Sequence, residues 1–173
     1  MGRASSPAGE AVSRDLRCGS GELLARRRRV AALSLGGGAA LGVVALYQFG
    51  LVKHLPDPPI RVFDSDRVDA AGEAYSLLHT PDATLGLASY AATAALAGAG
   101  GSNRVSERPL LPLALAAKVA FDAVSAAWLT AEQITKHRRL CSYCLAAAVA
   151  SFATVPQVIP EARQAWRELR RSR

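Results

Sequence analysis

The chain has 173 residues, half of them hydrophobic and only 6% aromatic, with a net charge of +7. Its apolar content is mostly Ala, Leu and Gly gathered into long segments, the pattern of a helical membrane protein rather than a soluble core. The basic charge flanks those segments and forms no aromatic-interleaved motif, so nucleic acid is not an expected partner, and three cysteines are too few for a disulfide scaffold.

Residues 1–25 are rich in Gly, Ser, Ala and Arg with no sustained period, which predicts a flexible cytoplasmic tail. Arg26–Arg29 then abut an uncharged run from Val30 to Val52, and a bilayer crossing needs about 20 such residues. The apolar region of a signal peptide is only about 7–15 residues long, and no small-x-small cleavage site follows, so the run is read as a retained helix. Gly38 and Gly42 form a GxxxG pair that permits close helix packing. Lys53–Thr80 is polar and broken by Pro56, Pro58 and Pro59; within it, Val68–Leu78 is expected to form a short surface helix with Tyr75, Leu77 and Leu78 dipping into lipid.

A second crossing is predicted over about 83–98 after Pro81, and a third over 109–130, with Pro109 suited to a first helical turn. The fourth is predicted over 140–159, closed by Pro160 and a basic tail at 163–173. The expected fold is therefore all-α: an integral membrane four-helix bundle spanning 26–162, with a surface half-helix in the first outer loop.

Lys and Arg set the orientation. With the N-terminus inside, Arg3, Arg14, Arg17, Arg26–Arg29, Arg104, Arg108 and five arginines of the C-terminal tail are cytoplasmic. Lys53, Arg61, Arg67, Lys136, Arg138 and Arg139 are outside. The bias predicts both termini in the cytoplasm, with the start of the fourth helix on the outer, periplasmic face.

At that start stands Cys141-Ser142-Tyr143-Cys144, preceded by Lys136-His137-Arg138-Arg139. Two cysteines at this spacing can close a disulfide, and a helix N-terminus with nearby cations favours the thiolate that exchanges. No second CxxC or trailing histidine makes a zinc ribbon or a haem attachment, and His54, His79 and His137 lack ligand spacing, so no metal is expected. Cys18, alone in the tail, is read as inert.

Lys118 and Asp122 lie four apart on the third span and share a face. Ionisable groups at that depth are paired or functional, and a neutralising ion pair is preferred here over a proton or quinone role. Asp64-Ser65-Asp66 with Asp69 lacks the glycine and terminal glutamate of a calcium loop and is read as a solvated acidic turn. His137 could polarise a thiol, and Tyr143 serves equally as interfacial anchor or ligand contact.

Two passages carry a family resemblance. Tyr75-Ser76-Leu77-Leu78-His79-Thr80-Pro81-Asp82-Ala83-Thr84-Leu85-Gly86-Leu87 with Tyr90 resembles the loop-to-second-helix passage of the vitamin K epoxide reductase family. Leu140-Cys141-Ser142-Tyr143-Cys144-Leu145 resembles the start of that family's fourth helix. The likeness covers roughly residues 30–160 and implies a bacterial-type membrane thiol–quinone oxidoreductase that supports disulfide formation in exported proteins. By position, Cys144 would face a quinone of the ubiquinone, menaquinone or vitamin K type. Cys141 would take electrons from a thioredoxin-like donor on the outer side. Tyr143, Tyr90, Asp122 and Lys118 are the candidate quinone contacts, and the apolar faces meet membrane lipid.

Most members of the family carry a further cysteine pair in the first outer loop, whereas Lys53–Thr80 has none. Ser65 or Asp66 falls where the inner loop cysteine would be, and Ala71 where the family has a quinone-assisting Ser or Thr. A catalytically degenerate scaffold or a redox sensor is the alternative reading.

Overall fold

The structure, a computed structural model, describes residues 6–76 and 79–171. Among these it is all-helical, without strands. The elements are α1 Pro7–Cys18, α2 Glu22–Gln48, α3 Ser65–Asp69, α4 Asp82–Gly98, α5 Arg104–Glu107, α6 Leu110–Glu132 and α7 Ser142–Arg171. A 3-10 turn at Gly72–Tyr75 follows α3, and a wide π-type turn at Gln133–His137 extends α6. α2 packs against α4 and α7, α6 packs against α7, and α4 also touches α6.

Among the described residues, three helices are long and apolar enough to cross a membrane: α2, α6 with its terminal turn, and α7. Their surfaces are inverted relative to a soluble protein. Leu35, Phe121, Val124, Trp128 and Val149 are exposed, while Ser34, Thr93, Ser151 and Thr154 are buried. With lipid as the surrounding medium, small and hydroxylated residues pack helices together and large apolar ones face outward. The chain is an integral membrane protein.

Several boundaries differ from the expected ones. The stretch read as a tail contains α1, whose N-cap Ser6 accepts from Gly9 N–H at 3.1 Å. Asp15 on α1 accepts from Ser102 N–H at 2.9 Å, docking the helix on the turn after α4. The helix α2 begins well before Val30, with Glu22 in its first turn paired to Arg26 at 2.7 Å. It ends at Gln48, because Gly50 takes φ +73 and closes a Schellman motif through Gly50 N–H to Tyr47 O and Leu51 N–H to Leu46 O.

Pro160 does not end the last helix. A proline ring frees the carbonyl four residues earlier, and here Arg26 Nη1 donates to that carbonyl, Pro156 O, at 3.2 Å. The helix runs on to Arg171. In the loop between α2 and α4 no single helix covers 68–76: Ala71 is extended (φ −68, ψ 149) and separates α3 from the 3-10 turn. Leu77 and Leu78, expected to dip into lipid, lie outside the described residues.

Helix contact is closest where glycine removes a side chain. A Cβ on Gly37 would lie 2.5 Å from Tyr90 Cζ on α4, whereas Gly42, half of the expected GxxxG pair, faces open space. At the opposite end from the CxxC, two arginines replace missing backbone partners. Buried Arg27 donates to the carbonyls of Ala97, Ala99, Gly100 and Gly101, capping α4. Arg104, fully buried, binds both Glu161 oxygens at 2.7 and 2.6 Å and the carbonyls of Leu96 and Ala99.

Candidate redox site

Leu140 fastens the loop after α2 to the base of α7. Its N–H donates to Val62 O at 2.9 Å and its carbonyl accepts from Asp64 N–H at 3.0 Å, a short parallel bridge. Asp57 completes the clamp, accepting from Ser65 N–H at 2.6 Å, Ser65 Oγ at 2.7 Å and Ser142 Oγ at 2.6 Å. Ser142 N–H in turn donates to Ser65 Oγ at 3.1 Å. Burial alone would push the Asp57 carboxyl up, but the Ser142 and Ser65 hydrogen bonds outweigh it and hold the group below its ordinary value.

Cys141 occupies the N-cap position of α7, and its Sγ accepts from Cys144 N–H at 3.1 Å. Its own N–H donates to Gln133 Oε1 at 3.0 Å. An exposed backbone donor and the positive end of a helix dipole both favour a thiolate at this atom. The expected cations act elsewhere: Lys136 pairs with Glu132 at 2.6 Å, and Arg139 donates to the Arg61 carbonyl. Cys141 is wholly buried with Leu55 and Val68 of the loop, whereas Cys144 is partly buried. Both thiols are free, and Cys18 lies exposed on α1.

Cys144 Sγ approaches Asp69 Oδ1 at 3.5 Å. Asp69 is 2% exposed, and its Oδ2 has no hydrogen-bond partner among the described residues. Burial first, and the adjacent Cys141 sulfur second, push this carboxyl up to about 9. The acidic stretch is thus not a solvated turn. Asp64 caps α3, Asp66 meets His54 and Leu55 N–H, and Asp69 enters the core. The donor atoms of Asp69, Cys141 and Cys144 lie within 4.8 Å of one another. A closed structural zinc site takes four ligands, and only these three converge among the described residues.

Beside Cys144 lies a cavity of about 170 Å³. Leu41, Ala83, Ala126, Leu129 and Ala148 supply apolar wall, and Asp69, Tyr90, Asp122, Ser151 and His137 supply polar points. Tyr90 OH donates to Ala147 O and shares a 2.7 Å hydrogen bond with Ser151 Oγ, so its ring is held rigidly against Gly37.

The family model for vitamin K epoxide reductase matches residues 29–159. The chain belongs to that family. No curated protein matches it. No solved structure matches it either. Members of the vitamin K epoxide reductase family are in general membrane oxidoreductases.

Of the residues singled out from sequence, Cys144, Tyr90, Asp122 and His137 line this cavity, while Cys141 stands behind Cys144 in the protein interior. Lys118 lies one helical turn from Asp122 and binds both its oxygens at 2.6 Å; Ser89 and Thr93 of α4 join the pair at 2.8 and 3.0 Å. The ion pair is therefore neutralised within α6 and tied to α4. Tyr143 turns to the loop, donating to Pro56 O at 3.0 Å. Asp57 and Gln133 escaped the sequence reading, which places Asp69 in a solvated turn. The available signal was weak: Asp69 sits four residues after Ser65, one turn along the same helix face, between Val68 and Ala70.

Proposed function

We propose that this chain is a dithiol:quinone oxidoreductase in which Cys144 gives electrons to a membrane quinone and Cys141 closes the resulting disulfide. One observation carries the reading: a reactive-type cysteine pair is arranged in depth, with Cys144 on the wall of an apolar cavity and Cys141 at a helix N-cap behind it. An apolar cavity of about 150 Å³ suffices for a benzene-sized ring, so this one suits a quinone head group. The candidate acceptors are quinones of the ubiquinone, menaquinone or vitamin K type. The cavity's few polar points fit the usual pattern of orienting groups in an apolar site.

When bound, the quinone supplies a two-electron acceptor. The chain's own residues do the rest. Cys144 N–H stabilises negative charge on Cys141 Sγ, and Gln133 and the Asp57–Ser65–Ser142 clamp fix the N-terminus of α7. Tyr90, Asp122 and Ser151 offer hydrogen-bonding groups on the far wall, with Tyr143 and Lys118 supporting from outside the cavity. We place α4 as the fourth crossing of a four-helix bundle, with the outer loop as a cap on the periplasmic side of a bacterial inner membrane and both termini in the cytoplasm. Electrons would come from an outer-side dithiol such as a thioredoxin-like protein, serving disulfide formation in exported proteins.

A second reading, a redox sensor or silent scaffold, is favoured by the complete burial of Cys141 under a loop that has no relay cysteines. Purified protein in nanodiscs with excess dithiol and a soluble quinone analogue separates the two. Multiple turnovers that vanish in Cys144→Ser support the enzyme; equal rates in both chains across several quinones reject it.

A further inference from the structure

We propose that Asp69 is a catalytic proton relay, taking the Cys144 thiol proton on Oδ1 while delivering its own proton from Oδ2 to the oxygen of the acceptor. This rests on the thiol–quinone reading and adds the acid–base group that such chemistry requires. Oxidising a dithiol breaks two S–H bonds and forms one S–S bond; two electrons and two protons must reach the acceptor for a quinone to become a hydroquinone. Asp69 carries one proton across. The second, from Cys141, leaves to solvent, and the second acceptor oxygen takes one from solvent, so the sum is dithiol plus quinone giving disulfide plus hydroquinone. The carboxyl ends as neutral as it began.

The geometry is specific. Oδ1 lies 3.5 Å from Cys144 Sγ, Oδ2 is buried and unpartnered among the described residues, and the side chain lines the same cavity as Cys144. A buried oxygen without a partner is costly for a carboxylate, and far less so for a carboxyl holding its proton ready for an incoming acceptor. The surroundings keep it neutral. Asp82 of α4, Tyr47 of α2 and both cysteines act on it directly, and Glu73 of the loop, Tyr90 of α4, Asp122 and Glu132 of α6 and His137 after α6 line the same cavity. No buried cation pairs with Asp69 among the described residues, and with its carboxyl pushed up to about 9 it holds a proton at neutral pH.

The test compares the natural chain with Asp69→Asn and Asp69→Glu on two readouts. The first is the pH profile of quinone reduction from pH 6 to 10. The second is the rate at which a small maleimide alkylates Cys144 in a Cys141→Ser background, followed by peptide mass spectrometry, which needs no quinone. Asp69→Asn is expected to lower turnover on the order of a hundredfold, the usual worth of a positioned acid–base group, and to abolish the alkaline limb. Asp69→Glu keeps a limb. Above pH 9 the ionised Asp69 opposes the Cys144 thiolate, so Asp69→Asn alkylates faster there. A thiol that becomes more reactive while turnover falls is the signature of a relay, since lost folding would lower turnover without that gain. If Asp69→Asn matches an active natural chain in rate and pH profile, the relay is wrong and the thiol–quinone reading stands. If the natural chain turns over no quinone, both fall. Equal alkylation profiles in the two chains overturn the relay whatever the turnover.

Discussion

Asp57→Ala removes the centre of the clamp that closes the α2–α4 loop over Cys141. The carboxylate accepts three hydrogen bonds, from Ser65 N–H, Ser65 Oγ and Ser142 Oγ. Asp57 is only half-buried, so water replaces part of what is lost, and about 1 kcal/mol per bond is the appropriate scale. The loop keeps its bridge at Leu140 and the Tyr143–Pro56 hydrogen bond. Losing about 3 kcal/mol from the closed state raises the open population about a hundredfold, each 1.4 kcal/mol being about a factor of ten. Cys141 is wholly buried, so a bulky maleimide reaches it only through opening, and its alkylation rate then follows the open population. Pulse alkylation with peptide mass spectrometry should show Cys141 modified about a hundred times faster in Asp57→Ala, with Cys18 as an internal control. A rate within twofold of the natural chain would refute the clamp.

Stability should depend on pH through Asp69. Its carboxyl is raised to about 9 in the fold from an ordinary value of 3.8, so the native state holds a proton the unfolded chain has released. Stability is complete below pH 4 and falls across pH 4–9 by up to about 1.4 kcal/mol per pH unit. Melting temperatures in detergent at pH 6, 7 and 8 should decline in the natural chain and flatten in Asp69→Asn. Arg104→Ala should cost about 3–5 kcal/mol by stranding buried Glu161, and Arg104→Met with Glu161→Leu should recover much of it, both read by thermal melting. Gly37→Ala should cost about 1–3 kcal/mol by driving a methyl into the Tyr90 ring, while Gly42→Ala, facing open space, should leave the melting temperature unchanged or higher.

The three long apolar helices were legible because each is a local property of the chain: a long apolar run needs no partner to declare itself. The same holds for Cys141 and Cys144, whose spacing on one helix turn puts the two sulfurs together whatever surrounds them. Their opposed exposures were not legible. Whether a thiol faces a cavity or a core depends on Leu55 and Val68, about 75 to 85 residues away along the chain.

Acidic residues divided in the same way. Asp64, Ser65, Asp66 and Asp69 look alike in the sequence, as a polar turn among prolines. Docking the loop on Leu140 sorts them by direction: Asp64 to a helix cap, Ser65 to the Asp57 clamp, Asp66 to His54 and Leu55 N–H, and Asp69 beside the sulfurs. Helix ends followed the same division. Gly50 can be found from sequence as a stop, since only glycine takes its backbone angle cheaply. Pro160 reads as a stop too, and fails as one because Arg26, from another helix, supplies the donor its freed carbonyl lacks. Local chemistry thus determined the helices and the dithiol. Only the tertiary structure decided which carboxyl meets the thiols, because that meeting is made by contacts between segments far apart in the chain.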